Sequence, residues 1–335
     1  MVNSSKSPRF RFNGLSAGLL AALLSISCTS IATQPTAEPS LAQAQLVRQS
    51  ILSSATNLER DYFVYLPRGY SAESETRWPV LLFLHGHGER GDGKEELGWV
   101  MAHGPLYDAW IQKRDLPFII VAPQLPMFDM KNSAPYLQYR DQSQMPKQLE
   151  SGVPPRPDPF PTPQPMDGAL PDDDFPFGGK GPPSGWDRCE QEVLGIIDSV
   201  LDTYRADADR LYLTGLSYGG YGTWYLASHH PELFAAIAPV VGWGHPDLMP
   251  ALADPPMPMW VFAGGRDGAV LTKHFFPGLN KLEELGHPNV RFTIHEDMNH
   301  DVWERVYGGQ DLYDWLLLHR REVANGDPTP DPGSR

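Results

Sequence analysis

Leu211-Tyr-Leu-Thr-Gly-Leu-Ser-Tyr-Gly-Gly220 decides the reading of the whole chain. Its first six residues carry the apolar and β-branched content of a buried strand, and the segment from Tyr218 onward is compatible with a helix. Between the two, Gly215-x-Ser217-x-Gly219 fits a strand-to-helix turn so tight that only small residues can flank its serine, and such a turn lifts the hydroxyl above a sheet. Alone, a five-residue pattern is a weak signal; a strand before it and a helix after it make it strong. The competing reading is a glycine-rich turn with an ordinary serine. A serine hydroxyl is a poor nucleophile until a base takes its proton, and that base needs a third group to fix its tautomer.

The flanking sequence supplies a sheet for this turn. Asp61 to Pro67, Pro79 to Gly86, Phe118 to Ala122, Leu211 to Leu216, Ala235 to Val241, Met259 to Ala263 and Arg291 to His295 are strand candidates. Several lack polar alternation, as parallel strands covered on both faces do. Helical patterns lie between them, over Glu95 to Arg114, Trp186 to Tyr204, Tyr218 to His229, Lys273 to Leu285 and Val302 to His319. The alternation predicts an α/β fold with a mostly parallel central sheet flanked by helices.

On such a sheet the acid and then the histidine follow the serine in chain order. Asp267 stands after Met259-Trp-Val-Phe-Ala-Gly-Gly265, where a turn presents its carboxylate at the sheet edge, and His300 follows the last strand in Met-Asn-His-Asp-Val-Trp303. Asp297 and Asp301 are rival acids, and His287 and His295 are rival bases. The backbone N–H of Tyr218, at a helix N-terminus, is one candidate donor to a developing oxyanion. His85-Gly-His-Gly88 follows an apolar strand and lets backbone approach a substrate oxygen, so the N–H of His87 is the second. The rival reading makes His85, His87 and His103 metal ligands, without any carboxylate or cysteine at suitable spacing. Trp243 and Trp303 are candidates for pocket walls or for plain core packing. Cys189 has no motif around it and reads as a packed thiol. Neither a cofactor nor a metal is called for.

The 335 residues are 41% hydrophobic, enough for one elaborated domain, and carry a formal net charge of −14. So acidic a surface disfavours nucleic acid and anionic membranes. The first 32 residues read as a signal peptide: Lys6, Arg9 and Arg11 precede an apolar run from Leu15 to Ser27, which is shorter than the roughly 20 residues of a membrane span. Two outcomes stay open. Ser30-Ile31-Ala32 suits ordinary cleavage and free secretion, whereas Leu24-Ser-Ile-Ser-Cys28 is similar to a lipobox that would place a lipid on Cys28 and the chain at a membrane. Residues 33–56 read as a solvated linker, 57–322 as the folded domain and 323–335 as a disordered tail. Inside the domain, 127–183 is crowded with proline and without periodicity. It reads as an insertion leaving the carboxyl edge of the sheet, a lid or a solvated loop.

Leu84-His-Gly-His-Gly-Glu-Arg-Gly91, Val121-Ala-Pro-Gln124, Asp209 to Trp224, Met259 to Asp267 and Asn299-His-Asp-Val-Trp303 together resemble the bacterial α/β-hydrolase esterases. These are grouped with phospholipase/carboxylesterases, with feruloyl and polyhydroxybutyrate-depolymerase-like enzymes, and with a set of peptidases. The resemblance runs from about Asp61 to Arg320 apart from the proline-rich insertion. It implies an α/β-hydrolase fold and hydrolysis of carboxylic esters through Ser217, Asp267 and His300, with His87 and Tyr218 at the oxyanion. Two positions depart from the usual pattern: Tyr218 stands where methionine follows the serine, and His87 where a small residue is usual. A serine peptidase of the same fold and a non-catalytic envelope binding protein are the alternatives. The partner expected is a small or polymeric ester.

Overall fold

The computed structural model describes residues 42–128, 130, 137, 140, 141, 143 and 185–321. The signal peptide with Cys28, the linker as far as residue 41, most of the proline-rich insertion and the tail from 322 onward lie outside the described residues.

Eight strands form one sheet: β1 Gln45–Leu52, β2 Glu59–Leu66, β3 Trp78–Leu84, β4 Ile119–Ala122, β5 Ala206–Leu216, β6 Ala236–Val240, β7 Met259–Gly264 and β8 Val290–His295. Their order is β1-β2-β4-β3-β5-β6-β7-β8. β2 runs antiparallel to both β1 and β4, and every pairing from β4 through β8 is parallel. Among the described residues the α-helices are α1 Gly104–Leu106, α2 Glu190–Thr203, α3 Tyr218–His229, α4 Met249–Ala253, α5 Phe276–Glu284, α6 Trp303–Gly308 and α7 Asp311–Leu317. This is the α/β-hydrolase fold, with a mixed, mostly parallel sheet between helical layers.

The burial of alternate residues explains why the central strands are apolar throughout. Val80, Leu82 and Leu84 of β3 join Leu213, Val261 and the inner face of α2 (Val193, Ile196, Ile197, Val200) in one core. Leu81 and Phe83, one residue out of step, join Tyr212, Phe262 and the closing helices (Val306, Tyr307, Leu312, Leu316) in the other. Strand side chains alternate between faces, so a strand covered twice must be apolar at every position. The sheet and its two layers set the carboxyl ends of β3, β5, β7 and β8, and the loops that carry His87, Ser217, Asp267 and His300 leave from those ends.

Three expectations need correction. Gln45–Leu52 is a strand, so the folded domain reaches back into the stretch read as linker. It is the edge strand, its residues alternate between exposed and half-buried, and Arg48 and Gln49 gave it a polar look. The helix expected over Glu95 to Arg114 is broken into a 3-10 turn Leu97–Met101, α1 and a π turn Tyr107–Ile111. Gly104 sits at φ +86 there, and a Cβ on it would lie 2.3 Å from Phe83. The helix expected over Val302 to His319 divides into α6 and α7 at Gly309, whose backbone is extended.

Candidate active site

β5 ends at Leu216 and α3 begins at Tyr218, which leaves Ser217 alone to turn the chain. It does so at φ +53 and ψ −115, a region costly for any residue with a Cβ. Backbone bonds hold the strain: Ser217 N–H donates to Val240 C=O at 2.9 Å, and Tyr221 N–H donates to Ser217 C=O at 3.1 Å. The glycines are required by contact. A Cβ on Gly219 would fall 1.8 Å from the Leu84 carbonyl oxygen, and one on Gly215 would fall 2.3 Å from that of Gly219.

Asp267 follows β7 and is buried. Its Oδ1 accepts the N–H groups of Ala269 and Val270, both at 2.8 Å, which orients the carboxylate so that Oδ2 accepts from His300 Nδ1 at 2.7 Å. The other ring nitrogen, Nε2, lies 2.9 Å from Ser217 Oγ. With Nδ1 carrying the proton toward the carboxylate, Nε2 is left to accept from the hydroxyl, which is the arrangement a general base requires. Ser217, His300 and Asp267 therefore form a serine-hydrolase triad. Three of the four rivals have other contacts, and the fourth faces solvent. Asp297 is held by both terminal nitrogens of Arg305 at 2.7 Å. Asp301 is exposed. His287 contacts the Met257 carbonyl, and His295 stacks on Phe262 within the sheet.

The His85 ring braces the start of the loop after β3. His85 is buried; its Nδ1–H donates to Gly86 C=O at 2.6 Å, and its Nε2 accepts Leu125 N–H at 2.8 Å. Both nitrogens are committed to backbone, and burial depresses the ring's pKa to about 3, so it stays neutral. The Gly86 carbonyl and the His87 N–H belong to one trans peptide and point in opposite directions. Anchoring the first therefore aims the second. The rings of His87 and Tyr218 lie 4.8 Å apart, which sets the two expected donor residues side by side.

Of the two tryptophans, Trp303 stands edge-on to the His300 ring at 5.2 Å and near His103 at 5.4 Å. Trp243 is buried in the core against Tyr221, at 5.4 Å. Cys189 is a buried free thiol whose pKa burial pushes far up. Among the described residues no group of three or more His, Cys, Asp and Glu is set to hold a metal, and no helix is long and apolar enough to cross a membrane.

Sequence reasoning missed the supports of the His85–Gly91 loop. Glu89 is buried there, with its carboxyl pushed up to about 7 by burial. Gln124 Nε2 donates to the Glu89 carbonyl at 2.9 Å, and buried Arg60 donates to the Gly91 carbonyl at 3.2 Å. Charged residues inside an otherwise backbone-driven motif were the available signal, since buried charge needs partners.

Residues 187–249, which include the serine turn, match the prolyl oligopeptidase family. Over 98 residues the chain is 36% identical to the bifunctional acetylxylan esterase/xylanase of Neocallimastix patriciarum, covering 28% of this chain and 14% of that protein. Over 58 residues it is 36% identical to poly(3-hydroxyalkanoate) depolymerase C of Paucimonas lemoignei, covering 16% and 14%. The crystal structure of a thermostable esterase superposes with a TM-score of 0.54 at 25% identity, over 82% of this chain and 63% of that one. The chain thus spans less than two thirds of each of these relatives. The family match over the serine turn and the superposition agree with the α/β-hydrolase fold.

Proposed function

We propose that this serine hydrolase is an exported carboxylesterase that works through an acyl-enzyme. The observation that carries the reading is the unbroken line from Asp267 Oδ2 through the His300 ring to Ser217 Oγ, at 2.7 and 2.9 Å. Its terminal hydroxyl sits on a turn that lifts it from the sheet. His300 Nε2 takes the Ser217 proton as Oγ bonds to the ester carbonyl carbon, and the carbonyl electrons move to oxygen. The N–H groups of His87 and Tyr218 hold that oxyanion, the latter donor being free for it because the first turn of a helix has no internal acceptor. When the tetrahedral adduct collapses, the bond to the alkoxide breaks and His300 returns the proton to the leaving alcohol. Water then repeats the sequence on the acyl-serine, releasing the acid and restoring the hydroxyl.

The prolyl oligopeptidase match favours a second reading, a peptidase, because the same triad cleaves amides. The match covers only the nucleophile region, whereas the esterase superposition extends over 82% of the chain. The ester reading is therefore preferred. A panel of p-nitrophenyl esters against peptide anilides decides: ester turnover with negligible anilide cleavage is expected, and efficient anilide cleavage would replace the proposal with the peptidase. The export proposal rests on the basic and apolar order of residues 1–32. Mass spectrometry of the mature N-terminus tests it, with removal after Ala32 or a lipid on Cys28 as the supporting results and an unprocessed chain as the opposing one.

A further inference from the structure

Four successive carbonyls of the loop that carries His87 are each tied to a side chain from elsewhere. Gln124 holds that of Glu89, and Arg60 holds that of Gly91. The remaining two belong to a single residue. Arg140 Nη1 donates to the Gly88 carbonyl at 2.8 Å and to the Arg90 carbonyl at 2.6 Å. Its Nη2 donates to the Glu96 carboxylate at 2.9 Å, and its guanidinium lies 5.0 Å from the centre of the Trp99 ring. The side chain is only 8% exposed. Arg60 and Gln124 come from the body of the sheet, at β2 and just beyond β4. Arg140 comes from the proline-rich stretch, which periodicity assigned no part in the catalytic core.

We propose that Arg140 is a positioning residue for ester hydrolysis, fixing the oxyanion loop. The inference rests on the reading of His87 as an oxyanion donor. Gly88 is the residue directly after His87, and together they begin the 3-10 turn His87–Glu89. Pinning the Gly88 carbonyl fixes the Gly88–Glu89 peptide, the second one downstream of His87, within the same 3-10 turn. The His85 ring, through Gly86, fixes the one on the upstream side. A planar guanidinium meets two carbonyls and one carboxylate at once, which an ammonium on a flexible stem does not reproduce. Glu96 sets the direction of the fork, and Trp99 supports its face. Without Arg140, the Gly88 and Arg90 carbonyls lose the nitrogen they share, and the turn is free to shift.

Oxyanion donors act only on the charge that develops in the transition state, so a misplaced donor slows chemistry without weakening substrate binding. Losing a donor outright costs about 10²–10³ in kcat, and displacing one by about 1 Å costs up to about 10²-fold. Arg140→Ala is accordingly expected to lower kcat about 10- to 100-fold on p-nitrophenyl acetate while KM moves less than about threefold.

The test compares wild type, Arg140→Ala and Arg140→Lys on that ester. It also measures their affinity for an aryl trifluoromethyl ketone, whose serine adduct places an oxyanion in the same hole. Support is a fall in ketone affinity parallel to the fall in kcat, with Lys intermediate in both and the circular dichroism of the folded protein retained. Unchanged kcat and ketone affinity in Arg140→Ala would overturn the inference, as would a fall in kcat with ketone affinity intact. Should Arg140→Ala not fold, the Lys variant decides on the same two readouts. An inactive wild type on every ester would instead strike the proposed function, and is thereby distinguished from failure of this inference.

Discussion

Replacing Asp267 by Asn changes one atom and reverses the hydrogen-bond logic of the site. In the native protein Oδ1 accepts two backbone N–H groups, from Ala269 and Val270, and Oδ2 accepts from His300 Nδ1. An asparagine has one oxygen. The two backbone donors claim it, and the amide NH2 then faces Nδ1. A donor there needs an acceptor, so the ring shifts its proton to Nε2, and Nε2–H cannot accept from Ser217. The ring also loses the buried carboxylate that stabilises its cation during proton transfer. Together these effects are expected to lower kcat about 10⁴-fold, or about 5.5 kcal/mol in the barrier. The fold should survive, because the shape and both backbone bonds are kept. Initial rates on p-nitrophenyl acetate for Asp267→Asn, Asp297→Asn and Asp301→Asn provide the assay. Asp297 contacts Arg305 rather than His300, so its variant should stay within about tenfold of wild type. A crippled Asp297 or Asp301 variant beside an active Asp267→Asn would refute the assignment of the acid.

Glu89 gives a pH-dependent expectation. Its carboxyl is raised by burial from 4.5 to about 7, so between those values the folded state holds a proton that the unfolded chain has released. Its contribution to stability therefore falls as pH rises through that window, by on the order of 3 kcal/mol once both states are ionised. Neutral, isosteric Glu89→Gln should gain in Tm relative to wild type between pH 5 and pH 8, and a difference constant with pH would contradict the assignment. The elbow allows a simpler test. Gly219→Ala places a methyl 1.8 Å from the Leu84 carbonyl oxygen, where backbone rather than a movable side chain must yield. Destabilisation above about 3 kcal/mol in urea unfolding is expected, with loss of activity; a stable, active variant would mean that the turn is looser than described.

The catalytic line was legible in the sequence because Ser217 and Asp267 each follow an apolar run. Leu211 to Leu216 and Met259 to Gly264 are buried on both faces, so their composition alone marks them as strands and the next loop as a candidate site. His300 was legible by its place after the last strand. β1 was not, since an edge strand covered on one side keeps polar residues such as Gln45, Arg48 and Gln49. The broken helix near Gly104 depended on contact with Phe83, far away in sequence. Arg140 was hidden for the same reason. Its acceptors lie some 50 positions upstream, and proline content around it signals only the absence of regular structure.

The central claim is that Ser217 is a nucleophile made reactive by His300. A fluorophosphonate probe, followed by peptide mass spectrometry, tests it directly, because phosphonylation requires the same activated oxygen and no knowledge of the natural ester. Wild type should carry one adduct, on the peptide containing Ser217, with labelling absent in Ser217→Ala and slowed by several orders of magnitude in His300→Ala. An adduct on another serine, or undiminished ester turnover by Ser217→Ala, would contradict the account.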